Sequence, residues 1–282
     1  MTDPSDEMAK EQAAGSGRNL AVAIASGVVL VVLFVGSLFW HPAAFSTVVG
    51  VLVVIGVIET GRTLSAAGRP VAVPVVLVSS VVLLAGAYTS GRVGQVIGAT
   101  VLFIGAAAWE LADSHRHDVL ETIGNTLFLG LWIGLLASFA VLLATAEEDP
   151  IVATLAVIGG AVVADIGAYA VGTLAGRHAI APSVSPNKTW EGLVGGVAIA
   201  TAVGAAVLPL VGDRFDTLDA AVVVLVSGIA GFFGDLFESM FKRDLGVKDM
   251  GALIPGHGGV LDRVDGILLA LPVGYWFLEL AP

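Results

Sequence analysis

Apolar stretches long enough to cross a lipid bilayer recur along this chain of 282 residues, and no other feature limits its fold so sharply. A helix needs about 20 largely apolar residues to cross the hydrocarbon core. Nine such segments can be drawn, near 20–40, 43–60, 71–88, 94–112, 121–144, 151–174, 190–211, 220–237 and 260–280. Only 13% of the residues are charged, against about 25% in an ordinary soluble domain. The expectation is an all-α, polytopic integral membrane helical bundle of about nine transmembrane helices. It forms one domain over 19–282, preceded by a disordered cytoplasmic tail at 1–18. The first run is longer than a signal-peptide core of roughly 7–15 residues, so it reads as a retained span. Positions 41–42 leave almost no loop, so the first two spans form a tight hairpin or the count is one too high. Small residues such as Gly159-Gly160-Ala161 and Gly195-Gly196 let helices approach closely in lipid. No internal repeat of the kind many transporters carry is evident.

Charge sets the orientation. With the N-terminus cytoplasmic, 11 of the 13 Lys and Arg residues fall on the cytoplasmic side, and only Arg92 and Arg214 fall opposite. That bias is what the positive-inside rule predicts. The chain has no cysteine, which excludes disulfides and thiolate metal sites. The net charge of −11 and the lack of a basic face with interleaved aromatics speak against nucleic acid as a partner.

Chemistry concentrates in one place. Of 37 charged residues, ten lie between Asp235 and Asp265, beside His257 and Gly256 to Gly259. Charge near a bilayer costs at least a few kcal/mol unless it is paired, hydrated or used. Asp235, Glu238 and Ser239 share one helix face at the end of the eighth span. Asp262 and Asp265, at i and i+3, open the ninth. Carboxylates from two adjacent helices suit Mg²⁺, which takes one or two carboxylates plus phosphates and water. The plainer reading is that these acids neutralise Lys242, Arg243, Lys248 and Arg263. Those basic residues can grip phosphates, or equally anchor the chain to anionic lipid. Gly258 and Gly259 run into a helix N-terminus, where free amides favour phosphate, although a plain turn fits them too. His257 can donate to a phosphate or move a proton, yet a lone loop histidine commonly does neither.

A second cluster lies upstream. Asp165 sits inside the sixth span with Tyr169 one turn on. An intramembrane Asp is a functional candidate, or a hydrogen-bonding partner for a neighbouring helix. The loop Ser185-Pro186-Asn187-Lys188-Thr189-Trp190-Glu191-Gly192 can offer hydroxyl, amide and ammonium groups to a nucleotide. Thr189 can instead cap the seventh span.

These residues resemble a known pattern. Ser239-x-Phe241-Lys242-Arg243, then Lys248-Asp249-x-Gly251, then Leu253-Ile254-Pro255-x-His257-Gly258-Gly259-Val260-x-Asp262-Arg263-Val264-Asp265 is similar to the diagnostic motif of the phosphatidate cytidylyltransferases, also called CDP-diacylglycerol synthases. The Asp165–Tyr169 element and the loop at 185–192 resemble family elements as well, except that Asn187 departs from the Lys often found there. The resemblance is specific over about 160–280; the N-terminal half matches only as a series of hydrophobic spans.

The resemblance implies transfer of CMP from CTP to phosphatidate with Mg²⁺, giving CDP-diacylglycerol and pyrophosphate. It implies Asp235 and Asp262 as metal ligands, with a second metal ion compatible, and Asp265 and Asp249 as further carboxylates. Lys242, Arg243, Lys248, His257 and Arg263 would bind phosphates. Ser185 and Lys188 would hold the nucleotide, with Ser239, Gly258, Gly259 and Asp165 in the surrounding cavity. The expected setting is the cytoplasmic (inner) membrane with the site facing the cytoplasm, and a homodimer is compatible with it. Two other readings are a cytidylyltransferase acting on another lipid phosphate, such as an ether lipid, and, more remotely, a transporter.

Overall fold

In lipid a backbone N–H or C=O group finds a partner only within its own segment, so each long apolar run closes into a helix. The computed structural model describes residues 27–29, 31–114, 118–251 and 258–280. The expected tail at 1–18, Arg116 and His257 lie outside the described residues. In order, the elements are α1 (Gly27–Trp40), α2 (Pro42–Ala66), α3 (Val73–Ala112), α4 (Val119–Leu129), a π-helical stretch (Gly130–Leu135), α5 (Leu136–Ala144), α6 (Pro150–Ala175), β1 (Ala179–Ala181), β2 (Ser185–Thr189), α7 (Trp190–Val211), α8 (Thr217–Asp244) and α9 (Leu261–Leu280).

Among the described residues six helices are long and apolar enough to cross a membrane, counting Val119–Ala144 as one. The sequence suggested about nine, and the difference has local causes. α3, at 40 residues, is counted once although it folds back on itself at Gly91, whose φ of 58° and ψ of −136° suit only glycine. A Cβ on Gly86 would lie 2.7 Å from the Gly94 carbonyl oxygen, and one on Gly105 would lie 2.8 Å from Val75. Residues 75 and 105 would stand about 45 Å apart in a straight helix. The two arms of α3 therefore run antiparallel, over the segments expected at 71–88 and 94–112. α1 is described only from Gly27 on, and α9 opens on Asp262, Arg263 and Asp265.

His41 caps α2 by accepting from the Ala43 N–H, with Pro42 in the first turn, which explains the near-absent loop before it. α5 is buried along almost its whole length and forms the centre of the bundle. α2, α3, α6 and α9 pack against it, and α6, α7, α8 and α9 pack tightly on one another. A Cβ on Gly167 of α6 would lie 2.9 Å from the Gly196 Cα of α7, a closeness that only small residues allow. The rings of Phe128, Trp132, Phe237 and Phe241 cluster at centroid distances of 4.8 to 6.0 Å and fasten α4 and the π-helical stretch to the end of α8.

Two features depart from the expected pattern. The segment between α6 and α7 forms a small antiparallel hairpin, β1 with β2, rather than an open loop. α8 also continues to Asp244, past the expected end at 237, so Lys242 and Arg243 sit in its last turn, where the helix dipole favours cations.

Ion pairs sort the ends of the bundle. Arg69, after α2, pairs with Glu121 of α4 and Asp244 of α8. The hairpin and the starts of α7 and α9 gather at that same end. At the opposite end Arg92, beside the α3 turn, pairs with Glu279 of α9 at 3.0 Å.

Candidate active site

The basic end of the bundle holds two groups of charged side chains. They share α8 and α9 but use them differently.

The first group opens into a cavity of about 160 Å³ between α6, α8 and α9, lined among others by Asp165, Asp235, Arg263 and Asp265. Close approach builds it: a Cβ on Gly234 would lie 2.8 Å from the Asp265 carbonyl oxygen, so α8 and α9 touch there. The hairpin supplies Lys188, whose Nζ lies 2.5 Å from Asp235 Oδ2 and 4.7 Å from the centre of the Phe232 ring. Ser239 donates to Asp235 Oδ1 at 3.3 Å. Asp265 Oδ1 accepts from the Gly266 N–H at 2.7 Å.

The second group is closed. Lys242 Nζ sits 3.3 Å from Glu238 Oε1 and 2.9 Å from Asp262 Oδ1. The Glu238 side chain is fully buried and that of Asp262 is 5% exposed. Asp262 also accepts from the Met250 N–H at 3.0 Å and, through Oδ2, from the Gly259 N–H at 2.8 Å. It thereby caps the start of its own helix, three residues back, as the acid of a capping box does.

The carboxylates expected to act together are thus divided. Asp235 faces the cavity with Asp265 and Asp165, and Asp262 is not among the cavity's lining residues. The i, i+3 spacing places Asp262 and Asp265 within one turn of α9, yet one turns inward to Lys242 and the other toward the cavity. The amides of Gly259 and Val260, at the start of α9, donate to Asp262 and Glu59 instead of standing free for phosphate.

The remaining expected residues lie near this end. Arg243 Nε donates to the Val184 carbonyl at 3.1 Å and ties the hairpin, with Ser185, to α8. Lys248 and Asp249 are exposed. Gly258 has a φ of +81°, and a Cβ there would lie 3.4 Å from Asp249 and 3.2 Å from Asp262. Thr189 caps α7 by accepting from the Gly192 N–H at 3.1 Å, the plainer of its two readings. Sequence reasoning passed over Glu59 of α2, although a carboxylate inside an apolar span is itself a signal.

The donor set fits a hard divalent cation. Among the described residues no three or more carboxylate or imidazole groups are gathered tightly enough to hold a metal alone. Magnesium does not require it, since one or two carboxylates suffice when phosphates complete the shell. Counted at nominal charge, Asp165, Asp235, Glu238, Asp262 and Asp265 carry five negatives against three positives on Lys188, Lys242 and Arg263. At the cavity itself Asp165, Asp235 and Asp265 stand against Lys188 and Arg263, an acidic excess that suits a cation.

Comparisons with known proteins agree with this picture. The chain is 32% identical to the phosphatidate cytidylyltransferase of Mycobacterium leprae, over 95% of this chain and 90% of that protein. It is 32% identical to that of Mycobacterium tuberculosis, over 95% of this chain and 84% of that protein. The phosphatidate cytidylyltransferase of Haemophilus influenzae is 45% identical over 40% of this chain and 41% of its own. A sequence profile of the cytidylyltransferase family matches residues 21–281. With an apolar helical bundle around a cavity of carboxylates and cations, and relatives matched along nearly the whole chain, this protein belongs to the cytidylyltransferase family.

Proposed function

We propose that the protein is a phosphatidate cytidylyltransferase, transferring CMP from CTP to phosphatidate and releasing pyrophosphate. The observation that carries this reading is the cavity shared by Asp165, Asp235, Asp265 and Arg263 at the basic end of an apolar bundle. An oxygen of the lipid phosphate attacks the α-phosphorus of CTP, and the bond from that phosphorus to the bridging oxygen of pyrophosphate breaks. The attacking phosphate is already ionised at neutral pH, so no strong general base is needed.

The difficulty is repulsion. Two like unit charges about 4 Å apart repel by about 4 kcal/mol at an effective dielectric near 20. Arg263 offers a planar fork to one phosphate, and Lys188 brings a point charge to the same cavity. Asp235 and Asp265, with Asp165 beside them, are the side chains that would hold Mg²⁺. Bound there, Mg²⁺ would supply neutralisation of phosphate charge and stabilisation of the leaving group. In this reading Asp262, expected as a ligand, keeps Lys242 and the start of α9 in place beside the cavity. Ser185 and Arg243 set the hairpin that carries Lys188, Lys248 and Gly258 meet phosphates at the rim, and His257 would bind a phosphate as its place in the motif implies.

The basic end would face the cytoplasm, in the cytoplasmic membrane, where CTP is made, and the N-terminus would lie on that side. A homodimer is compatible with this arrangement. A reporter fused after Pro282 should then signal outside the cytoplasm. The decisive experiment gives purified protein labelled CTP, phosphatidate and Mg²⁺ and looks for label in a lipid-soluble product. Label should enter lipid only with all three present; no labelled lipid, or the same yield after chelation of divalent ions, would overturn the reading.

A further inference from the structure

Glu59 belongs to the half of the chain from which no function was expected, yet its side chain reaches the catalytic segment. Its Oε2 accepts from the Val260 N–H at 2.8 Å, across 201 positions of sequence. One turn further along α2, Thr63 Oγ1 donates to the Met250 carbonyl at 2.8 Å. Glu59 and Thr63 therefore hold the two shoulders of the stretch between Met250 and Val260, which carries His257, Gly258 and Gly259. Glu59 is 7% exposed, so water does little to loosen it.

The glycines beside it record the same contact. A Cβ on Gly259 would lie 3.0 Å from Glu59 Oε2, and one on Gly251 would overlap the Glu59 carboxylate outright. Neither glycine has a positive φ, so conformational freedom does not account for them. Space does: both leave room for the Glu59 head group. Within this part of the family motif, Gly251 and Gly259 are complementary to a residue roughly 200 positions upstream.

We propose that Glu59 is a positioning residue, which clamps the chain at Met250–Gly251 and at Gly259–Val260 to α2 and so sets the start of α9, with Asp262 and Asp265, against α8. Glu59 itself does not line the cavity. The inference rests on the nucleotidyl-transfer reading above. Because Asp262 holds the Met250 and Gly259 amides from the other side, the segment is gripped from both α2 and α9. Loss of one grip lets the start of α9 shift relative to Asp235.

The test compares wild type with Glu59→Ala, Glu59→Gln and Gly251→Ala, each as the full chain in detergent. Amide exchange at Val260 reads the bond itself, and kcat and KM for CTP read its consequence. In Glu59→Ala the Val260 amide should exchange at least about tenfold faster, as expected for loss of a bond to a charged acceptor. Its kcat should fall by about 100-fold, the cost of a misplacement of about 1 Å, with KM changed less than about threefold. Glu59→Gln keeps an acceptor oxygen and should recover kcat to within about fivefold of wild type. Gly251→Ala pushes the carboxylate from the opposite side and should reproduce the loss, which decides the matter if Glu59→Ala does not fold. Unchanged exchange at Val260, or kcat within about threefold of wild type in both Glu59→Ala and Gly251→Ala, would overturn the clamp. So would a rise in KM at constant kcat. An inactive wild type would instead sink the proposed reaction, and the exchange of Val260 would then decide on the clamp by itself.

Discussion

The cavity group and the closed group draw on the same two helices and spend their charge in opposite ways. Acids outnumber cations in both, three to two at the cavity and two to one at Lys242, but only the cavity group lines an open space. Around Lys242, the acids Glu238 and Asp262 are sealed and turned to holding the chain. Neighbours in sequence divide between the two, Asp235 from Glu238 and Asp265 from Asp262, and a side-chain hydrogen bond between Glu238 and Asp265 joins them. A site of this kind needs both, because a surplus of charge near a bilayer persists only if buried ion pairs keep the helices from spreading apart.

The sharpest way to break the comparison is to cut the closed group. Lys242→Met leaves Glu238 and Asp262 buried without their cation, which should cost about 3–5 kcal/mol of stability. The midpoint of thermal unfolding in detergent should fall markedly, and activity should fall with it. The cavity group should behave differently. Asp265→Asn removes a charge from the cavity and keeps a side chain able to bond to Glu238 and the Gly266 N–H. Turnover should drop about 10²–10³-fold, while the unfolding midpoint stays close to wild type and higher Mg²⁺ restores part of the rate. If Asp265→Asn unfolds the protein while Lys242→Met only slows it, the division between the two groups is wrong.

Asp262→Asn falls between these. An amide keeps one acceptor oxygen but loses the charge facing Lys242 and one of the caps at the start of α9. A loss of about 1–3 kcal/mol in stability is expected, with turnover lowered too far to be restored by added Mg²⁺. Rescue by Mg²⁺ would move Asp262 into the cavity group as a metal ligand, the role its place in the motif first suggested.

Much of this was readable in the sequence, and the reasons differ from part to part. Most described span boundaries fell within a few residues, because hydropathy decides which backbone enters lipid, but α2 and α8 run six and seven residues past their expected ends. The break at Gly91 was legible as a gap between two apolar runs. Its sharpness depends on a positive φ that Gly91 permits but does not announce. The β1–β2 hairpin was not anticipated, since Pro186 and Asn187 read as loop residues and the pairing is only a few residues long. The charged residues of 235–265 were recognised as one site. Their partition was not, because it depends on the rotation of α9 against α8, and an i, i+3 spacing states only that two side chains share a face. Glu59 was missed for another reason. Its partners, Val260 and the glycines at 251 and 259, lie in the other half of the chain, and only folding brings them within 3 Å of it.

The smallest expected effect refines the cavity group from within. Ser239 donates to Asp235 Oδ1 at 3.3 Å, while Lys188 occupies the other oxygen at 2.5 Å. The hydroxyl turns the carboxylate rather than neutralising it, so its removal should alter how Asp235 meets a ligand and leave the helices in place. Ser239→Ala should weaken apparent Mg²⁺ affinity by about fivefold, the equivalent of one ordinary hydrogen bond near 1 kcal/mol. The unfolding midpoint should not move measurably, since the Ser239 side chain makes this bond on a partly buried surface. A titration of turnover against Mg²⁺ at saturating CTP distinguishes the outcomes. A lower maximal rate at unchanged Mg²⁺ dependence would mean that Ser239 touches a substrate phosphate directly and that Asp235 is oriented by Lys188 alone.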